Sequence, residues 1–171
     1  GELWQGRGGF AGELGHVTVN PEGIKCNCGN SGCLETEVSG PALVRNYFSF
    51  SGKKEDQLTA KDVYLRARAG DEAARQSFER SGRFLGIGLS LVINLLNPEK
   101  IVIGGGVMDS GRWLLTPAIQ EARRRSIRVS FELCRIEKAS LGNDAGLMGA
   151  AAWAGQQLSR LPIGARTAGK N

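Results

Sequence analysis

The chain has 171 residues, of which 41% are hydrophobic and 23% charged, with a formal charge of +5. Those proportions are ordinary for a soluble globular chain that fills one domain, or one lobe of a larger molecule, without a disulfide framework. The charge is too small and too evenly spread to mark a nucleic-acid binder by itself, and no run reaches the ~18 apolar residues of a membrane span.

The opening "GELWQGRGG" lacks both a signal peptide's basic and apolar regions and an initiator Met. It reads as the start of an excised or processed piece of a cytoplasmic protein. Glycine punctuation and short alternating runs up to Val19 predict a hairpin, with "HVTVN" as its clearest strand. A Cys-rich loop follows. Ser39 as cap and Pro41 near the first turn predict a short helix over "GPALVRNYF", and "FSGKKEDQ" is a polar link. Thr59 and Asp62 form a capping-box pattern opening a helix that Gly70 stops, and Asp71 can cap the next.

From there to Asn97, Phe78, Leu85, Leu89, Val92 and Leu96 hold helical spacing, with a second stripe at Phe84, Leu91 and Leu95. The second half, apolar all round, is expected to be buried. Gly82 and Gly86 share a face and suit close packing by another backbone. Pro98 ends the helix, "KIVI" is a short buried strand, and Gly104, Gly105 and Gly106 make a sharp turn. The next helix is "RWLLTPAIQEARRRS", in which Pro117 either kinks the helix or starts its main part. Arg123, Arg124 and Arg125 spread around its axis, which suits a solvated face better than a nucleic-acid stripe. "CRIEKAS" reads as a strand, "LGNDAG" as a turn and cap, and "LMGAAAWAGQQLS" as a small-residue helix packed on the core, before a frayed tail. Helix and strand alternating after residue 70 give an α/β fold.

The chain's one His and three of its four Cys fall within 18 residues, as His16, Cys26, Cys28 and Cys33. Three thiolates and an imidazole make a closed structural zinc set, and Gly29 and Gly32 let the loop fold back on itself. The alternatives are reduced cysteines without a metal, or a disulfide pair plus a free thiol. Cys134 lies far away and reads as core packing. Glu13 and Glu35 flank the cluster and suit hydrogen bonds from sugar hydroxyls; the alternative is two solvated charges or caps. On its own, the glycine turn at 104–106 is a tight turn more readily than a nucleotide site.

At these residues the chain resembles the ROK family of bacterial repressors and sugar kinases. "GELGH" is similar to the family's Glu-x-Gly-His element, "CNCGNSGCLE" to its zinc motif, and "LNPEKIVIGGGV" and "LGNDAGLMGAA" to its later segments. The resemblance implies the incomplete C-terminal lobe of an actin-like ATPase fold, of the hexokinase and RNase H type. That lobe would span residues 1–159, with an inserted zinc-binding loop at about 16–35 and a flexible tail at 160–171. It further implies structural Zn2+ on His16, Cys26, Cys28 and Cys33; a monosaccharide or sugar derivative on Glu13, His16 and Glu35; and, in kinase members, adenosine beside Gly104, Gly105 and Gly106.

The family's two phosphate loops and its Asn-Asp catalytic pair have no counterpart in these 171 residues, since "GND" at 142–144 falls in the closing segment. No catalysis is therefore expected from this chain alone, and ATP and Mg2+ would matter only if the parent is a kinase. The resemblance leads to the sugar-binding and oligomerisation part of a transcriptional repressor, to which Thr36 after Glu35 points, or else of a glucokinase-like hexose kinase. Implied partners are a second copy in a homodimer, and DNA only through an upstream domain outside this sequence. An exposed sheet edge is expected to attract a further chain.

Overall fold

The computed structural model describes residues 2–160, so the expected tail lies, but for residue 160, outside the described residues. Its helices are α1 (Leu34–Val38), α2 (Gly40–Ser51), α3 (Ala60–Ala69), α4 (Glu72–Leu96), α5 (Arg112–Arg125), α6 (Arg128–Leu133) and α7 (Ala145–Arg160). Two strands, β1 (Lys100–Ile103) and β2 (Arg135–Lys138), pair in parallel with Lys100 opposite Arg135 and Ile103 opposite Lys138. A parallel pair needs a long crossover, which α5 and α6 supply. The fold is α/β, and none of its described helices is long and apolar enough to cross a membrane.

Local signals set the helix ends. Thr59 Oγ1 accepts from the Asp62 amide at 3.2 Å while the Thr59 amide donates to Asp62 Oδ2 at 2.9 Å, closing the capping box of α3. Gly70 ends α3 at φ +99°, and Asp71 Oδ1 accepts from the Ala74 amide to open α4. Ser39 precedes α2 as expected, but its hydroxyl makes no capping bond.

α4 organises the body. Ser77 and Ser81 face the chain before and within α2, their hydroxyls donating to the Leu43 and Glu37 carbonyls at 2.6 and 2.9 Å. Asn46 Nδ2 donates to Ser81 Oγ at 3.1 Å. Gly82 and Gly86 lie on the other side of the helix, against α5. A methyl group at Gly86 would stand 2.5 Å from the Ala118 carbonyl oxygen and 2.6 Å from Glu121 Cβ. At Gly82 it would collide with the Pro117 ring. Pro117 thus sits inside α5, rather than starting it, and forfeits one helix hydrogen bond where its ring meets the Gly82 surface. Phe78, Leu89, Ile93, Leu43, Val63 and Leu114 fill the core between these elements.

Four expectations are corrected. The opening stretch is not a hairpin: it is irregular apart from a 3-10 turn at Leu14–His16 and a single bridge, Thr18 to Cys33. Glycines at positive φ, Gly6, Gly9 and Gly12, break any ladder there. The end of α4 is not buried all round, since Leu95 and Leu96 stand exposed beside Asn97, whose left-handed cap turns the chain away. β1 is half-buried rather than buried, with Val102 exposed, because a two-stranded sheet covers little of either face. α7 does not lie on the core; Leu147, Met148 and Leu158 are all exposed.

The arginine run behaves as a solvated face. Glu121, almost fully buried, takes Arg124 Nη2 at 2.7 Å and the Arg125 guanidinium on the same oxygen. The hydrogen bond from Arg124, ahead of the desolvation that opposes it, pulls the Glu121 carboxyl from 4.5 to about 2. A depressed carboxyl stabilises the fold above its unfolded pKa and loses that contribution as pH falls through the folded value. The stability difference between wild type and Glu121→Gln is therefore predicted to shrink as pH falls from 4.5 to about 2, as read by urea midpoints across that range. Gly86→Ala gains ~1 kcal/mol of helix propensity but forces backbone apart, so a net loss of about 1–3 kcal/mol is expected. Gly88→Ala, whose nearest contacts are all on the Leu34 side chain and none on backbone, should cost less in the same denaturation experiment.

Candidate metal centre and its neighbouring acids

The loop over residues 17–33 is closed by backbone hydrogen bonds rather than by apolar contacts. The Val19 and Asn20 amides both donate to the Gly32 carbonyl, at 2.9 and 3.1 Å, and the Gly32 amide donates to the Ile24 carbonyl at 2.9 Å. A second bridge pairs Lys25 with Ser31, inside which the Cys26 amide donates to the Asn30 carbonyl at 2.8 Å. Gly32 holds φ +65° with its α-carbon pressed on the Asn20 carbonyl, a place no side chain can occupy.

This closure brings the four predicted donors together. The donor atoms of His16, Cys26, Cys28 and Cys33 all lie within 4.8 Å of one another. His16 Nδ1 is 3.6 Å from Cys26 Sγ, and Cys28 Sγ is 3.6 Å from Cys33 Sγ. Zinc–sulfur bonds of about 2.3 Å and zinc–nitrogen bonds of about 2.0 Å give tetrahedral edges of about 3.8 Å between sulfurs and about 3.5 Å between sulfur and nitrogen. The two distances of 3.6 Å fall beside those values. All four cysteines are free, so the disulfide alternative is not what brings the sulfurs together.

Electrostatics separates the thiols. Burial, then the neighbouring sulfurs of Cys28 and Cys26, pushes the Cys33 thiol up to about 12. The backbone N–H of Asn30 lowers Cys28, which lies at the surface. Three sulfurs this close cannot all be thiolates unless a cation sits among them. The donor set therefore suits zinc by number, type and spacing.

The flanking acids are placed by the same elements. Glu13 sits one residue before the 3-10 turn, its Oε2 3.8 Å from His16 Nε2, so the two ring nitrogens face different ways: Nδ1 toward the sulfurs, Nε2 toward Glu13. Glu35 stands in the first turn of α1, and its Cβ borders Gly15. Both acids are exposed. The glycine turn approaches from the far side of the sequence: Gly15, Glu35, Gly104, Gly105 and Gly106 line one cavity of about 290 Å³. Gly106 also borders a second cavity, of about 490 Å³, with Lys61, Tyr64 and Phe78 on its walls. The structure thus brings Glu35 and the three glycines to one cavity with Gly15, the chain neighbour of His16; Glu13 and His16 pair with each other outside its lining, and Cys134 lies apart in the core.

Comparison with known proteins follows the same residues. The ROK family model matches residues 1–157. The chain belongs to the ROK family. As a ROK protein it is 37% identical, over 98% of its length, to a glucokinase of Halalkalibacterium halodurans, of which it covers 54%. It is 39% identical, over 70% of its length, to the DNA-binding transcriptional dual regulator NagC of Escherichia coli K12, of which it covers 31%. A ROK family glucokinase from Streptomyces griseus, solved in complex with glucose and AMPPNP, superposes on 91% of the chain and 55% of its own length, with a TM-score of 0.81 at 35% identity. This ROK chain thus spans 31% to 55% of the length of these relatives.

Sequence reading missed two residues that build the site, Asn20 and Glu37. Asn20 Nδ2 donates to Glu37 Oε1 at 2.7 Å, and the Glu37 side chain is almost wholly enclosed. Neither carries a motif signal, and a carboxylate in the first turn of a short helix reads as a surface charge.

Purified protein is predicted to carry one zinc per chain by elemental analysis. Cys33→Ser should release it into a chelator at concentrations that leave wild type loaded, because a hydroxyl is a far poorer zinc donor than a thiolate.

Proposed function

We propose that residues 13–36 form a sugar-reading platform braced by structural zinc on His16, Cys26, Cys28 and Cys33. The ion would supply loop order and charge compensation, with no role in bond making. Glu13 and Glu35 accept hydrogen bonds from sugar hydroxyls, and His16, with Nδ1 given to the metal, offers Nε2 to the same ligand. The observation that carries this reading is the meeting of Gly15, Glu35 and the glycine turn around one cavity beside the His16–Glu13 pair. Carboxylates beside a shaped cavity suit a polyhydroxylated ligand, because each can take two hydroxyl donors at once.

The chain is then the sugar-binding part of a larger ROK protein on the plan of an actin-like lobe, acting as a homodimer in the cytoplasm. Two parents fit. The repressor reading rests on Thr36 after Glu35, with DNA contacted by a separate domain. The kinase reading rests on the glucokinases, whose likeness covers 98% and 88% of the chain; the xylose repressor of Bacillus subtilis covers 86% and NagC 70%, so coverage does not separate the two parents. In a kinase, adenosine would lie beside Gly104, Gly105 and Gly106, the last of which also borders the cavity walled by Tyr64 and Phe78. The proton-accepting base, the phosphate loops and the Mg2+ site would come from outside the matched residues, and ATP would matter only to this parent.

The full-length protein decides between them. ATP-dependent phosphorylation of glucose defeats a pure repressor, whereas sugar-controlled release from DNA without turnover defeats the kinase. In either parent, Glu35→Gln is expected to weaken sugar binding by about 1.5–3 kcal/mol, roughly ten-fold or more by calorimetry, because a charge-assisted hydrogen bond is lost. Zinc content should stay unchanged in that variant, and unaltered sugar affinity would refute the role of Glu35.

A further inference from the structure

Glu37 is the one carboxylate that α1 turns inward, and its surroundings explain more than local packing. Its Oε1 accepts from Asn20 Nδ2 at 2.7 Å, while its buried Oε2 has no hydrogen-bond partner. Arg45 Nη2 from α2 and Arg80 Nη2 from α4 each stand 3.9 Å from Oε2, near enough to offset its charge without bonding to it. Asn20 is therefore the sole direct donor among the described residues to a carboxylate that burial makes costly.

Asn20 is also the pivot of the loop. Its amide donates to the Gly32 carbonyl at 3.1 Å, its carbonyl accepts from the Gly23 amide at 2.8 Å, and Gly32 is pressed against that carbonyl. A methyl group at Gly23 would lie 2.6 Å from Gly32 Cα and 2.8 Å from Glu37 Oε1, so the pivot, the returning limb of the loop and the carboxylate share one contact point. On the other side, the Glu37 carbonyl accepts from Ser81 Oγ at 2.9 Å, and Arg45 Nη2 donates to the Thr36 carbonyl at 2.5 Å.

We propose that Asn20 and Glu37 form a latch that seats the metal loop on the helical body. In this role Glu37 is a positioning residue for the donor cluster and for Glu35. If the loop lifts, the carboxylate loses its only direct donor and is left buried beside two guanidinium groups that do not bond to it. If Glu37 is absent, Asn20 has no anchor beyond the loop itself. Cys33 and Glu35 ride on α1, whereas His16, Glu13, Cys26 and Cys28 ride on the chain before and within the loop. The two groups are joined directly by the Thr18–Cys33 bridge and by the Leu34 amide donating to the Val17 carbonyl at 2.9 Å, and the latch adds the side-chain tie that seats the loop beyond that junction. The metal part of this inference rests on the zinc reading above; the seating of the loop does not.

Asn20→Ala removes the donor, Glu37→Ala the acceptor, and Glu37→Gln keeps an acceptor of the same shape. Val63→Ala, a core truncation between α2 and α3, calibrates how far general destabilisation alone loosens the loop. Hydrogen exchange of the peptide 17–33 is followed in chelator-treated full-length protein, and zinc release into excess chelator in the loaded protein. Exchange in Asn20→Ala and Glu37→Ala is expected about ten-fold faster or more than in Val63→Ala at matched stability, with Glu37→Gln restoring most of the protection. Zinc release should accelerate in the same order by about ten-fold. Loop exchange no faster than in Val63→Ala overturns the latch, and faster exchange with unchanged zinc release overturns its control of the metal. A wild-type protein that never holds zinc refutes the zinc reading instead, and the exchange comparison still decides the latch.

Discussion

Cys33 carries the constraint on which the rest of the site depends. Its sulfur is fully buried, 3.6 Å from Cys28 Sγ, while its backbone pairs with Thr18 and caps α1. The residue that completes the donor cluster is therefore also the cap, immediately before the first residue, of the element carrying Glu35 and Glu37. A loop with little apolar content has few ways to hold a fixed shape, since conformational entropy outweighs a handful of exposed hydrogen bonds. Placing one ligand at the junction with a helix makes the order of the cluster and the direction of α1 a single variable. Two glycines in the loop then have a specific duty: Gly32 cannot bear a side chain where the loop closes on Asn20, and Gly29 turns the chain between Cys28 and Asn30 at positive φ.

Much of this was legible because it is encoded locally. The Thr59–Asp62 box, Gly70 and Asp71 act within four residues of themselves, and each end of α3 and the start of α4 fell where those residues put it. Gly82 and Gly86 were readable for a related reason: helical spacing alone puts both on one face, and a bare face of that kind implies a close neighbour, which α5 provides. The donor cluster was legible because spacing and chemistry agreed; four soft or borderline ligands in 18 residues leave few arrangements that do not converge.

What escaped the sequence depends on partners far along the chain. Alternating residues before Val19 look like a strand, yet a strand needs a neighbour in register, and only Thr18 finds one. The small, apolar composition of α7 does not say which surface it would cover, and within residues 2–160 it covers little. Glu37 was invisible for the same reason. Its position two residues after Glu35 suggests a second solvent-facing acid, whereas the helix turns it inward to Asn20, Arg45 and Arg80, residues separated from it by 17, 8 and 43 positions.

The two acids of α1 illustrate how one short helix divides its labour. Glu35 and Glu37 are two apart, so on a helix they point in widely different directions. Glu35 stays exposed to water on the α1 surface that borders Gly15, where a carboxylate needs no fixed partner. Glu37 is taken out of water, where its charge must be met by fixed groups, and those groups belong to the loop on one side and to α2 and α4 on the other. A displacement of α1 large enough to move Glu35 away from the cavity would strip Glu37 of Asn20 and of both arginines. The cost of a buried, unpaired charge, typically larger than that of a surface ion pair, thus resists motion of the exposed acid that shares its backbone.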